Sequence, residues 1–269
     1  MTANLGLEII IPAEEFGPEF AQTIASLAAQ TSRQFSVLLA HNRCPGRINQ
    51  FDALDQKFAQ AGIPMRRLVP AEELGRIELW NWACAQSRAA WINILFSGER
   101  LAPAYVECLQ KRIREKPDAR IIRCDVELET EWGPQRLAGP FSETTLKNSE
   151  IMRCFPARVE WLAGSLGFAW QRTAWLTLGG WPTQLPGWAT LNLNLLFALH
   201  YGLENIPEAL AMAPAADSSF MKKNLKRRIS LTLELWLILR QAQNYCLAAK
   251  LPPVRWQFVR ALHAAWLRP

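Results

Sequence analysis

The chain has 269 residues, half of them hydrophobic, enough to bury a full core as one large or two small domains. Its six cysteines (Cys44, Cys84, Cys108, Cys124, Cys154 and Cys246) form no CxxC pair, and no histidine stands at ligand spacing. That argues for reduced thiols in a cytosolic protein and against a zinc site or a disulfide framework. The net charge of +6 is uneven: residues 220–269 carry ten Lys/Arg against one acid, Glu234, while the rest carries 20 basic and 23 acidic residues, so the cationic character belongs to the tail.

Leu7 to Ile11 is a β-branched run closed by Pro12, and Glu8 inside it argues for a strand and against a signal peptide. Phe20, Ile24, Leu27 and Ala28 stand at helical spacing over 20–29, and Phe35 to Ala40 reads as the next strand. A helix over 48–61, a strand over 65–69, a helix over 77–87 and a strand over 91–96 follow. A helix over 105–115 and a strand over 119–128 complete this half. That rhythm predicts right-handed βαβ units and a mostly parallel α/β sheet. Residues 133–160 read as loop, and a second block runs from Gly164 through Gly179-Gly180 to a helix over 191–200. Pro207 and Pro214 punctuate its exit. Two tail helices, roughly 220–249 and 253–267, are split by Pro252-Pro253. The expected division is a body over 1–215 and a basic helical tail over 216–269. No run of about 18 apolar residues predicts a spanning helix.

The most informative stretch is Trp91 to Pro103, WINILFSGERLAP, a buried strand ending in a Ser97-Gly98 turn. In an open α/β sheet that strand end is where ligands bind. A nucleotide diphosphate held through a divalent cation needs carboxylates there, and the turn offers Phe96, Ser97, Gly98 and one acid, Glu99.

Several segments in order resemble family-2 glycosyltransferases of the GT-A fold. Leu7–Pro12 with Ser26-Leu27-Ala28-Ala29-Gln30-Thr31 is similar to that family's "IIIP … SLxxQT" opening. Gly75 and Asn81 resemble "GxxxxxN", Trp91–Pro103 resembles "yIxfLDxDDxlxP", and Arg172 with Leu178-Gly179-Gly180-Trp181 resembles "R…lGGF". Asn192-Leu193-Asn194-Leu195, closing at Gly202, resembles "DxDL…G". The resemblance spans residues 5–210. It implies an inverting, nucleotide-sugar-dependent transferase in surface glycan assembly, with a glycan or lipid-linked acceptor. Pro12, Ala13, Glu14, His41, Asn42 and Asn81 would line the nucleotide, and Mg²⁺ or Mn²⁺ would sit on the diphosphate. The family's paired aspartates fall on Phe96 and Gly98, and its general base on Asn192, which cannot accept a proton. Glu99 is the one remaining metal ligand.

Three explanations stay open: a pseudo-transferase that binds without turnover; metal-free transfer with Arg100 as fixed cation and Glu99 or Glu160 as base; or a shifted register with the acids in Asp125-Val126-Glu127. Trp161, Trp170, Trp175, Trp181 and Trp188 fit either an acceptor groove or a core, with Trp188 and Trp181 the candidates for acceptor contact. His41, His200 and His263 are ordinary positions for satisfied histidines. Lys222-Lys223-Asn224-Leu225-Lys226-Arg227-Arg228, ahead of an apolar helix, with Trp236, Trp256 and Trp266, suits an anionic membrane surface. Packing on the body or on a partner protein suits it equally. No recognition helix or single-strand platform points to nucleic acid. The expected setting is cytoplasmic, peripheral at the inner membrane face.

Overall fold

A computed structural model describes residues 6–13, 17–42, 48–139, 145–147, 150, 160–214 and 225–248. Ten strands are present: β1 (Leu7–Pro12), β2 (Ser36–Ala40), β3 (Met65–Leu68), β4 (Trp91–Ile94), β5 (Arg100–Leu101), β6 (Ile121–Thr130), β7 (Gly133–Leu137), β8 (Thr145–Leu146), β9 (Phe168–Gln171) and β10 (Leu203–Pro214). The helices are α1 (Pro18–Ala28), α2 (Ile48–Gln60), α3 (Arg76–Gln86), α4 (Tyr105–Glu115), α5 (Glu160–Ala163), α6 (Arg172–Thr177), α7 (Ala189–Tyr201) and α8 (Leu225–Ala248).

One sheet has the order β3-β2-β1-β4-β9-β6-β10-β5, with β7 on β6 and β8 on β10. The strands β3, β2, β1, β4, β6 and β10 all run one way, and β9 lies antiparallel between β4 and β6. The sheet is therefore mostly parallel, as the βαβ rhythm predicts. Its central strands are buried on both faces and read as mostly apolar runs, interrupted only by the buried Glu8 and Asn93 within β1 and β4. Ile9, Ile11, Val37, Leu39 and Leu95 face a layer containing Phe20, Ile24 and Leu27 of α1 and Val106 and Leu109 of α4. Ile10, Leu38, Ile92 and Ile94 face the other layer, where α3, α6 and α7 pack with a group of tryptophans.

The expected loop after Gly133 contains β7, which forms a hairpin with β6, and the short β8. Its sequence, Gly-Pro-Gln-Arg-Leu, has no apolar alternation because most of it is exposed, so backbone pairing alone defines the strand. Pro207 and Pro214 likewise lie inside β10, which pairs with β6 through register shifts on either side of Ala209. Proline is tolerated where the ladder is irregular. Beyond the expected boundary at 215, Ile238, Leu239, Ala242 and Cys246 of α8 belong to the same apolar cluster as Leu191, Leu195 and Leu199 of α7. The second tail helix expected over 253–267, with His263, Trp256 and Trp266, lies outside the described residues.

Candidate functional site

The C-terminal ends of β1, β2 and β4 lie side by side. Ala13 N–H donates to Ala40 O (2.8 Å), His41 N–H to Leu68 O (3.2 Å) and Leu95 N–H to Ile10 O (2.9 Å). Pro12, Ala13 and His41 are buried there, and the His41 ring stacks on Phe51 with centroids 4.4 Å apart. The Asn42 amide pairs with both backbone groups of Leu74 (2.9 and 3.0 Å), holding the chain that leads into α3. Glu14 lies outside the described residues.

Next to this edge is the turn after β4, clamped by polar side chains of α1. Thr23 Oγ1 donates to Glu99 O (2.8 Å) and accepts from Gly98 N–H (3.0 Å). Ser26 Oγ accepts from Leu101 N–H (3.3 Å). Gln30 Nε2 donates to Ala102 O (2.9 Å) while its Oε1 accepts from Val106 N–H (3.1 Å). Thr31 N–H donates to Pro103 O (2.8 Å). The Ser26–Thr31 motif is thus a bracket that fixes the strand-end turn, a role its sequence did not disclose. Gly98 adopts φ +88, a left-handed conformation that favours glycine.

Within the turn, Glu99 Oε2 accepts from Phe96 N–H (2.8 Å). Glu99 as a whole residue is half-buried, and the protein packed around its carboxyl pushes the pKa up to about 7, against the lowering effect of that hydrogen bond. A carboxyl titrating near neutrality can exchange a proton at physiological pH. As the anchor of a cation it fits poorly: one oxygen is committed to its own turn, Phe96 has no ligating atom, and Gly98 has no side chain. Among the described residues no group of three His, Cys, Asp or Glu side chains is gathered to hold a metal ion. Arg100, expected as a free cation, is ion-paired with Glu129. Of the two shifted-register acids, Asp125 is engaged too: it is buried with Arg136 (2.7 Å) and accepts from Gly139 N–H (2.9 Å).

Phe96 instead begins an aromatic wall. It contacts Trp80 (centroids 4.6 Å), Trp80 meets Trp181 edge-on (6.0 Å), and Trp181 touches Trp170 (5.5 Å) and Trp175 (5.6 Å). Arg76 lies over the Trp80 ring, 5.4 Å from its centroid. Trp80 and Phe96 remain partly accessible. The Asn81 amide donates to Trp181 O (2.8 Å) and accepts from Trp181 N–H (2.9 Å), so this expected nucleotide contact pins the wall. A Cβ on Gly180 would come within 2.5 Å of Trp175 and 2.6 Å of Asn81, which explains the glycine in "lGGW".

Both expected acceptor contacts are buried in the apolar cluster, Trp181 1% and Trp188 6% exposed. The Leu185–Trp188 loop is tied to α8 by Gly187 N–H bonded to Glu234 (2.9 Å). Asn192 sits in the first turn of α7, buried, its N–H on Trp188 O (2.9 Å). Asn194, two residues on, is fully used: Oδ1 accepts from Trp170 Nε1 (3.0 Å) and Nδ2 donates to Leu162 O and Gly164 O (2.9 and 3.1 Å). Trp80 is the site residue that sequence reasoning missed; its place one residue before Asn81, on α3, was the available signal.

No protein-family model matches this chain, and no curated protein matches it in sequence. Its backbone does match solved structures. Staphylococcus aureus TarS residues 1–349 in complex with UDP-GlcNAc superposes with a TM-score of 0.70 at 13% identity, covering 96% of this chain and 72% of that one. The mannosyltransferase PcManGT from Pyrobaculum calidifontis, in complex with GDP-Man and Mn²⁺, has a TM-score of 0.58 at 13% identity, covering 97% and 68%. GalNAc-T7 with UDP, GalNAc and Mn²⁺ has a TM-score of 0.59 at 14% identity, covering 80% and 44%. At such identities the likeness shows the fold: this chain has the GT-A fold.

Proposed function

We propose that this chain is a glycosyltransferase-like protein that takes a nucleoside-diphosphate sugar at the ends of β1, β2 and β4, with the cation-dependent part of the site replaced. The observation that carries the reading is the turn after β4. Its bracket by Thr23, Ser26 and Gln30 is complete, while Phe96 and Gly98 stand where carboxylates would hold a cation. Mg²⁺ or Mn²⁺ does not fit the residues present, since Glu99 is the one acid in the turn and one of its oxygens is bonded to Phe96 N–H. Similar folds bind UDP-GlcNAc or GDP-Man, which supports a nucleotide sugar as the donor class. Pro12, Ala13, His41 and Asn42 would form the wall nearest the base, with Asn81 positioning Trp181 behind it. A glycan or lipid-linked acceptor in surface glycan assembly completes the reading, with the protein peripheral at an anionic membrane face.

In inverting transfer an acceptor hydroxyl attacks the anomeric carbon, the bond to the diphosphate breaks with its electron pair, and a base takes the hydroxyl proton. Asn192 cannot take it. Glu99, titrating at about 7, is the carboxyl suited to do so. The diphosphate's charge would then fall to Arg76, exposed beside the aromatic wall, since Arg100 is paired with Glu129.

A second reading, a non-catalytic binding module, is favoured by the Phe96–Trp80 contact, which puts aromatic surface where an active transferase puts charge. Calorimetry with UDP and GDP, with and without Mn²⁺, followed by a donor-hydrolysis assay, tests both. Metal-indifferent nucleotide binding with sugar release supports the transferase; binding without release supports the module. Absence of any nucleotide binding defeats the donor-site reading.

A further inference from the structure

Helix α8 has two different sides. Ile238, Leu239, Ala242 and Cys246 are buried against α7, and Tyr245 donates to Leu199 O (3.2 Å). On the outward side Leu233 is 59% exposed, Trp236 44% and Leu237 48%. These positions, with Arg240, follow helical spacing along one stripe. The Arg240 guanidinium lies over the Trp236 ring at 5.5 Å, and Gln241 and Asn244 continue the exposed surface. The one acid of residues 220–269, Glu234, is turned inward onto Gly187 N–H (2.9 Å). Among the described residues the outward side of α8 therefore presents three large apolar groups and the Arg240 cation, with no acid, within a segment whose sequence carries a net charge of +9.

We infer that the outward face of α8, formed by Leu233, Trp236, Leu237 and Arg240, docks this protein on an anionic lipid bilayer. Indole and leucine side chains enter the headgroup boundary while arginine stays at the charged surface. Among the described residues no helix is long and apolar enough to cross a membrane, so the contact is one of lying on the surface. A second copy of the chain would bring a like-charged segment against this one. Nucleic acid would use the cations and leave the three apolar side chains in water. An anionic bilayer satisfies both parts of the face.

This inference deepens the peripheral placement in the proposed function, and it depends on no catalytic step. The test is flotation of the full chain with phosphatidylglycerol/phosphatidylcholine vesicles and with phosphatidylcholine alone, at low and high salt. Wild type should float with the anionic vesicles at low salt and not with the neutral ones. The triple variant L233S/W236S/L237S should lose about tenfold or more in partitioning. Arg240→Glu should lose about fivefold, an effect that salt erases. Melting temperature and UDP binding, measured on the same preparations, should match wild type. Equal flotation of wild type and triple variant overturns the inference, as does no flotation at all. Self-association that the triple variant abolishes also overturns it, by identifying a second copy as the occupant. UDP binding without flotation refutes the membrane face and leaves the donor site standing; flotation without UDP binding does the reverse.

Discussion

The two sides of the turn after β4 are built on opposite principles. Toward α1, Thr23, Ser26 and Gln30 satisfy backbone groups of residues 98–106 with side-chain hydrogen bonds. Toward α3, the same turn rests on rings, Phe96 on Trp80 and Trp80 on Trp181. The contrast teaches that one side of this strand end is held by neutral polar side chains on backbone groups and the other by ring contacts, with Glu99 the one carboxyl inside the turn.

The largest effect is expected on the aromatic side. Gly180→Ala places a methyl 2.5 Å from the Trp175 ring at φ +71, and should cost roughly 3 kcal/mol or more in urea unfolding. A wild-type midpoint would show that the wall is loosely packed. On the polar side, Gln30→Leu leaves the buried Val106 N–H without its acceptor and should cost about 2 kcal/mol. If it instead stabilises, the bracket is not what holds the turn.

The pH profile sharpens the comparison at its centre. Because burial raises Glu99 from 4.5 to about 7, the folded state binds more protons than the unfolded state in that range. Stability contributed at this site therefore falls as pH rises from about 4.5 through 7. Glu99→Gln should flatten that slope and stabilise the protein by about 2 kcal/mol at pH 8, after discounting for the residue's half-buried position. An unchanged slope in chemical denaturation across pH would place the titration elsewhere. In the double variant F96D/G98D the aromatic side is converted toward the polar one. Aspartate at φ +88 costs about 1 kcal/mol, and nucleotide binding should become Mn²⁺-dependent by about tenfold in calorimetry. Persistent metal indifference would mean that the neighbouring groups, not the missing acids, set the site's chemistry. The smallest effect is expected from Trp132→Ser, since that side chain is 85% exposed at the hairpin tip; the melting midpoint should move by less than about 0.5 kcal/mol equivalent.

Much of this was legible in the chain itself. The β1, β2 and β4 segments are mostly apolar runs because both faces of the central sheet are covered, and a run of that kind ended by Pro12 or by Ser97-Gly98 is recognisable without coordinates. That Phe96, Gly98 and Asn192 carry no carboxylate was equally plain, since residue type alone decides whether an atom can ligate a cation or take a proton. What escaped was whatever long-range pairing creates. The exposed strand β7 carries no apolar period, and β10 runs through two prolines because β6 supplies its ladder. Trp188 has the flanks of an exposed loop residue, yet it is buried in a cluster that includes residues of α8 from the far end of the chain.

Local composition therefore determined the α/β frame and which side chains its strand ends can offer to a ligand, because both depend on the identity of single side chains and their spacing. The folded structure decided the direction each side chain faces. It turned Glu99 onto the backbone of its own turn, Arg100 onto Glu129, and Glu234 inward, so that the described outward stripe of α8 carries no acid. The partners of Arg100 and Glu234 lie tens of residues away, which no local window of sequence contains.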